Sequence, residues 1–100
     1  MELRIPVDFD QLALYCRRHH IRYLAFFGSV LRDDFGPDSD VDVLVEFEPG
    51  HTPGWAFVGM QEELSRMLGR EVDLHTPRSI SRHFRDEVLA DANVCYESRR

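Results

Sequence analysis

The sequence predicts an α/β fold, in which helices pack on one side of a small mixed β-sheet. Three observations indicate this class: helical and strand patterns alternate in the order αβαβαβα, the strand patterns are short, and turn residues separate them. A chain of 100 residues has room for one hydrophobic core. We therefore expect residues 1–100 to form a single domain.

Three of the four predicted helices follow a capping residue and carry apolar residues three or four positions apart. Asp8 caps the first helix, and Gly69 ends the third. The first helix carries Phe9, Leu12, Ala13 and Cys16, and a short second helix spans residues 29–34. The third helix starts at Thr52-Pro53 and carries Ala56, Met60, Leu64 and Met67. The last helix starts at Thr76-Pro77 and carries Ile80, Phe84 and Val88.

Three strands are predicted, at residues 22–27, 40–47 and 71–75. In the second, Val41, Val43, Val45 and Phe47 share one face, and Asp40, Asp42, Leu44 and Glu46 share the other. In the third, Asp73 lies on the polar face with Glu71 and His75. Residues 93–97 fit either an edge strand or a tail.

Charge and composition limit the classes of partner. The net charge of −6 argues against direct nucleic-acid binding and allows a basic protein partner. No apolar run reaches the ~20 residues that a bilayer requires, so we expect no membrane association and a cytoplasmic protein. All 12 basic residues are arginine, which excludes a lysine nucleophile. Cys16 and Cys95 lack metal-ligand spacing and are interpreted as small thiols of the core.

Two carboxylates stand at the start of the second strand. Residues two apart on a strand project to the same face ~6–7 Å apart, so Asp40 and Asp42 can bind the same ions. Mg²⁺ removes their mutual repulsion and prefers carboxylate and phosphate oxygens. If the strand that carries Asp73 is a neighbour, a third carboxylate joins them.

Gly28 and Ser29 end the first strand and open a helix, where unpaired N–H groups suit a phosphate. Together with the carboxylates they favour phosphoryl or nucleotidyl transfer assisted by two metal ions. Taken alone, a segment such as Asp38-Ser39-Asp40 is most often a solvated turn or a cap. An EF-hand loop is excluded, because Val43 stands where glycine is required and Pro49 where a glutamate should bind. Ser29 also lacks the GxSxG elbow of a hydrolase nucleophile.

The pattern Gly28-Ser29, ten residues, Asp40-Val41-Asp42, with Glu71-Val72-Asp73-Leu74 downstream, resembles the DNA polymerase β-like nucleotidyltransferase superfamily. Its smallest members, the minimal nucleotidyltransferases, are the most similar, over roughly residues 24–76. The resemblance implies that Gly28 and Ser29 hold the nucleotide triphosphate and that Asp40 and Asp42 ligate two Mg²⁺ ions. It also implies that Asp73 completes the second metal site and helps to deprotonate an acceptor hydroxyl.

The resemblance further implies a partner. Minimal nucleotidyltransferases are commonly encoded beside a HEPN ribonuclease toxin, and transfer of AMP from ATP to a tyrosine of that toxin silences it. Two alternatives stay open: neutralisation by binding alone, and a small-molecule acceptor. A homo-oligomer is also possible on the sequence. Arg32 is a candidate phosphate contact, whereas Arg78, Arg82 and Arg85 are interpreted first as a solvated helix face.

Overall fold

The computed structural model describes residues 5–32, 35–36, 38–80 and 82–98. Within them, three α-helices and a four-stranded mixed sheet confirm the predicted α/β class. No helix in this part of the chain is long and apolar enough to cross a bilayer. The elements are α1 (Phe9–Arg18), β1 (Ile21–Phe27), a 3₁₀ turn (Gly28–Leu31), β2 (Val41–Phe47), α2 (Ala56–Leu68), β3 (Val72–His75), α3 (Arg82–Asp91) and β4 (Asn93–Glu97).

The sheet has the strand order β3-β2-β1-β4. β2 and β3 are parallel, and the two other neighbouring pairs are antiparallel. In this register Asp42 lies beside Phe27 on one side and beside Asp73 on the other. Residues 93–97, which the sequence left between strand and tail, form the edge strand β4.

One face of the sheet carries the hydrophobic core. Side chains of β1, β2 and β3 on this face meet apolar residues of α1 and α2. Alternation along β2 places Val41, Val43 and Val45 there, as the sequence predicted. The strand residues buried in this core are Ile21, Leu24, Phe26, Val41, Val43, Val45, Val72 and Leu74; the helix residues are Leu12, Tyr15, Cys16, Met60 and Leu64.

The opposite face carries the polar side chains of β2 and β3, yet Ala25 and Leu44 on it are almost fully buried. The β2–α2–β3 and β3–α3–β4 connections each join parallel strands and run in opposite directions across the sheet. Because such connections are nearly always right-handed, α2 and α3 belong on opposite faces. We infer that α3 crosses the polar face, whereas α1 and α2 pack on the core face. The prediction that helices pack on one side of the sheet therefore holds for α1 and α2 and not for α3.

Side chains of α2 hold the outer edge of β3. The N–H groups of Val72 and Leu74 point away from β2 and donate to Ser65 Oγ at 3.1 Å and Gln61 Oε1 at 2.9 Å. These bonds satisfy the edge strand and fix its position along β2. The alignment of Asp73 with Asp42 therefore depends on α2 as well as on the sheet.

The capping predictions have mixed outcomes. Asp8 caps α1, since its carboxylate accepts from the N–H groups of Asp10 and Gln11, and Gly69 ends α2 at φ 66°. Thr52-Pro53 does not start α2, which begins at Ala56 without a side-chain cap. The reason is a preceding turn, in which the N–H of Phe57 donates to the carbonyl of Gly54, itself left-handed at φ 58°.

The second capping prediction is also wrong. α3 begins at Arg82, and residues 77–79 form a turn in which the N–H of Thr76 donates to Ser79 Oγ at 3.0 Å. The predicted helix at 29–34 is a 3₁₀ turn that ends at Leu31, and positions 33 and 34 lie outside the described residues. On α1, Phe9 was predicted on the apolar face but is 55% exposed, whereas Tyr15 is buried in the core.

Candidate functional site

The parallel pairing of β2 with β3 brings two carboxylates and an imidazole together. Asp42 and Asp73 are register partners, and His75 lies two residues further along β3 on the same face. One ligand atom from each of these side chains lies within 4.8 Å of the other two. Carboxylate oxygen and imidazole nitrogen are both ligands of divalent ions, so this donor set fits a metal ion.

Asp40 lies just before β2, where its side chain is exposed, and is not one of the three clustered groups. It is nevertheless close enough for its charge to raise the pKa of the Asp42 carboxyl. That Asp40 binds a metal ion stays a prediction.

Asp42 is the electrostatic centre of the site. Partial burial raises the pKa of its carboxyl above the ordinary value, and the charges of Asp73 and Asp40 raise it further. The hydrogen bond with His75 acts in the other direction and lowers that pKa. A cation between the carboxylates would remove both the desolvation cost and the repulsion.

His75 is a site residue to which sequence reasoning gave no role. Its Nε2 lies 3.4 Å from Asp42 Oδ1, and its ring and the Phe27 ring form a T-shaped pair with a centroid distance of 5.3 Å. Strand alternation had placed His75 on the same face as Asp73. The signal was therefore present, but only the β2–β3 register shows that Asp42 is its neighbour.

Gly28 and Ser29 adjoin the carboxylates. Gly28 has φ +75°, and a Cβ built on it would lie 2.5 Å from Asp42 Oδ2. Only glycine allows the backbone to come this close to the carboxylate. The hydroxyl of Ser29 donates to the carbonyl of Asp40 at 3.1 Å, which ties the start of the 3₁₀ turn to the residue before β2. Phosphate binding by Ser29 stays a prediction and requires its hydroxyl to rotate.

Arg32 follows the 3₁₀ turn, is exposed, and lines a shallow cleft with Gly28, Leu31 and Asp91. This places it beside the predicted phosphate cradle, so its phosphate contact also stays a prediction. On α3, Arg85 is half-buried, and its Nε has no hydrogen-bond partner among the described residues. Arg82 is exposed, as the solvated-face interpretation expects.

Arg70 holds the loop that leads to Asp40, a role that the sequence did not indicate. Its guanidinium donates to the carbonyls of Gly36 and Ser39 and lies 4.4 Å from the centre of the Phe35 ring. Arginine suits this position because its planar fork can donate to two carbonyls and stack on an aromatic ring at once. The loop is thereby anchored to the end of α2.

Comparison with known proteins gives this geometry a family. The chain matches the nucleotidyltransferase domain family over residues 10–95. It is 36% identical over 75 residues to the protein adenylyltransferase MntA of Thermococcus cleftensis, and the matched region covers 74% of each chain. It is also 36% identical over 75 residues to a candidate protein adenylyltransferase of Methanocaldococcus jannaschii, covering 75% of this chain and 80% of that one.

Solved structures share the fold. A candidate minimal nucleotidyltransferase superposes with a TM-score of 0.69 at 34% identity, over 84% of this chain and 85% of that one. A toxin–antitoxin structure with AMP-PNP superposes with a TM-score of 0.74 at 19% identity, over 93% of this chain and 76% of that chain. At that identity the second match speaks for the fold alone. The matched domain, the shared fold and the Gly28–Asp42–Asp73 arrangement lead to one conclusion: this chain belongs to the nucleotidyltransferase domain family and is a nucleotidyltransferase.

Proposed function

We propose that this protein transfers AMP from ATP to a tyrosine hydroxyl of a HEPN toxin and so acts as the antitoxin of a toxin–antitoxin pair. The observation that carries the proposal is the register pairing of Asp42 with Asp73 beside the left-handed Gly28. Relatives support the partner class. A Shewanella oneidensis structure with a TM-score of 0.60 and 19% identity is a tri-AMPylated HEPN toxin in complex with an MNT antitoxin.

In the proposed reaction the acceptor oxygen forms a bond to the α-phosphorus of ATP, and the bond from that phosphorus to pyrophosphate breaks. Asp73 accepts the proton of the acceptor hydroxyl. Asp40, Asp42 and Asp73 would hold two Mg²⁺ ions, which neutralise the developing charge on the phosphate when bound. Gly28 and Ser29 position the triphosphate, with Arg32 at the rim.

The chain's own residues supply positioning for this chemistry. Partial burial of Asp42 and its contact with Gly28 fix one carboxylate at the end of the sheet. Arg70 and the Ser29–Asp40 hydrogen bond fix the loop that brings Asp40 to it. Reactions of this kind depend mainly on such positioning, together with electrostatic stabilisation.

The experiment measures transfer of label from ATP labelled at the α-phosphate to a purified HEPN toxin, with Mg²⁺ present. Wild type should label the toxin and abolish its ribonuclease activity. Asp42→Asn should lose labelling, because it removes the central charge and keeps the side-chain volume. No labelling by wild type, or equal labelling by Asp42→Asn, would contradict the proposal.

One observation favours binding as a second way of neutralising the toxin. Trp55 is 98% exposed and Val58 is 61% exposed at the start of α2. Exposed aromatic residues of this kind are typical of protein interfaces. If Asp42→Asn neutralises the toxin at the same dose as wild type, binding alone is sufficient. If Trp55→Ala labels and neutralises like wild type, this surface has no role.

A further inference from the structure

The polar face of the site holds a nitrogen donor in addition to its carboxylates. His75 Nε2 lies 3.4 Å from Asp42 Oδ1, while Asp42 Oδ2 faces the backbone of Gly28. The two oxygens of Asp42 thus have different neighbours. The Phe27 ring, whose plane is tilted by 62° to the imidazole, packs against His75 and limits how far it can swing away.

The spacing of these groups suits one shared ion. Two ligands about 2.1 Å from an ion lie at most ~4.2 Å apart. The ligand atoms of Asp42, Asp73 and His75 all lie within 4.8 Å of one another. Small side-chain rotations that move each ligand atom by less than about 1 Å therefore bring all three atoms into a single coordination sphere.

The type of ligand atom determines which metal ion binds most tightly. Mg²⁺ prefers oxygen ligands throughout, whereas first-row transition ions bind imidazole nitrogen well and also accept carboxylates. A site made of two carboxylates and one imidazole therefore discriminates between Mg²⁺ and an ion such as Mn²⁺. A site made of carboxylates alone discriminates less between these two ions.

We propose that His75 is a metal ligand together with Asp42 and Asp73, and that its imidazole makes this site prefer a first-row transition-metal ion, Mn²⁺ among them, over Mg²⁺. The inference rests on the metal site of the proposed function and adds a ligand outside the aspartate pattern. The competing explanation is that His75 only orients Asp42 through a donated hydrogen bond.

The two explanations separate with one substitution. In His75→Gln the amide reaches about as far as Nε2 and can still donate an N–H to Asp42, but it offers no imidazole nitrogen to an ion. His51→Gln is the matched control. His51 is an exposed histidine in the loop after β2, where its ring stacks on His20 at 3.9 Å, outside the cluster.

The test is a titration of each purified protein with Mn²⁺ alone, followed by electron paramagnetic resonance, with Mg²⁺ as competitor. Pulsed spectra should show coupling of the bound Mn²⁺ to ¹⁴N in wild type and in His51→Gln. In His75→Gln the coupling should vanish, and Mn²⁺ affinity should fall about tenfold or more while Mg²⁺ affinity changes by less than about threefold. Circular dichroism checks that the variant is folded.

Three results would overturn the inference: no ¹⁴N coupling in wild type, coupling that persists in His75→Gln, or equal losses of Mn²⁺ and Mg²⁺ affinity. Its failure is distinguishable from failure of the proposed function. AMP transfer with a Mn²⁺/Mg²⁺ rate ratio that His75→Gln leaves unchanged contradicts the inference and leaves the function intact. Histidine-dependent Mn²⁺ binding without any AMP transfer contradicts the function and supports the inference.

Discussion

Gly28→Ala should separate stability from catalysis at this site. At φ +75° an alanine costs about 1–2 kcal/mol, of which about 0.4–1 kcal/mol is recovered because alanine restricts the unfolded chain. The net loss of about 1 kcal/mol corresponds to a melting temperature lower by about 4–8 °C for a domain of this size. The new Cβ would also lie 2.5 Å from Asp42 Oδ2, and contacts under 3.0 Å are essentially never seen.

The carboxylate oxygen must therefore retreat by at least about 0.5 Å, since nothing else relieves the contact without moving the backbone. Because misplacement of a catalytic group by about 1 Å can cost 10²-fold, we expect AMP transfer to fall by about 10–100-fold. The assay is single-turnover labelling of the toxin with saturating ATP, beside a thermal melt of each protein.

Gly50→Ala is the matched control. Gly50 has a similar φ of +83°, and a Cβ there would meet nothing within 4 Å. Gly50→Ala should lose about 1 kcal/mol of stability from the left-handed backbone alone and keep full activity. If Gly28→Ala and Gly50→Ala transfer AMP at the same rate, the close approach of Gly28 to Asp42 has no catalytic meaning and the reasoning fails.

Three further predictions concern the fold. Tyr15→Phe removes a buried hydrogen bond of 3.0 Å to the carbonyl of Met60 and should cost about 1 kcal/mol in urea unfolding; an unchanged midpoint would show that the bond has no net value. Asp8→Ala removes the cap of α1 and should cost about 1 kcal/mol, with a loss confined to stability and no change in AMP transfer. Burial raises the pKa of the Cys16 thiol to about 12 and that of Cys95 to about 11 from an unfolded value of 9.0, so unfolded thiols ionise first. The contribution of these two thiols to stability should therefore be constant below pH 9 and be lost as the pH rises from 9 to 12, and a flat profile in guanidinium unfolding over that interval would contradict it.

Local signals in the sequence predicted much of this fold. A carboxylate before a helical pattern and a glycine after one mark α1 and the end of α2, because caps satisfy backbone groups within a few residues. Alternation along β2 separates the valines from Asp42 for the same reason, since it depends only on the geometry of a strand. The start of α2 was missed because the left-handed Gly54 inserts a turn after Pro53.

Apart from Asp73, which the family resemblance supplied, the site was predictable only as far as its members lie near one another in sequence. Gly28 and Asp42 carry a recognisable spacing. The contact of His75 with Asp42 spans 33 residues and depends on the parallel register of β3 with β2. The hydrogen bond from Arg70 to the carbonyl of Gly36 likewise joins the end of α2 to a loop that is distant in sequence. Contacts that depend on how distant segments pair leave no periodic trace in the sequence.

The hydrogen bonds from β3 to Ser65 and Gln61 have a consequence for assembly. An exposed strand edge normally offers free N–H groups on which another chain can build a further strand. Here the outward N–H groups of Val72 and Leu74 are already bound to α2, so sheet extension at this edge is closed to a second copy and to a partner peptide. A partner that adds a strand to the sheet must approach along β4, at the opposite edge from β3, which carries Asp73.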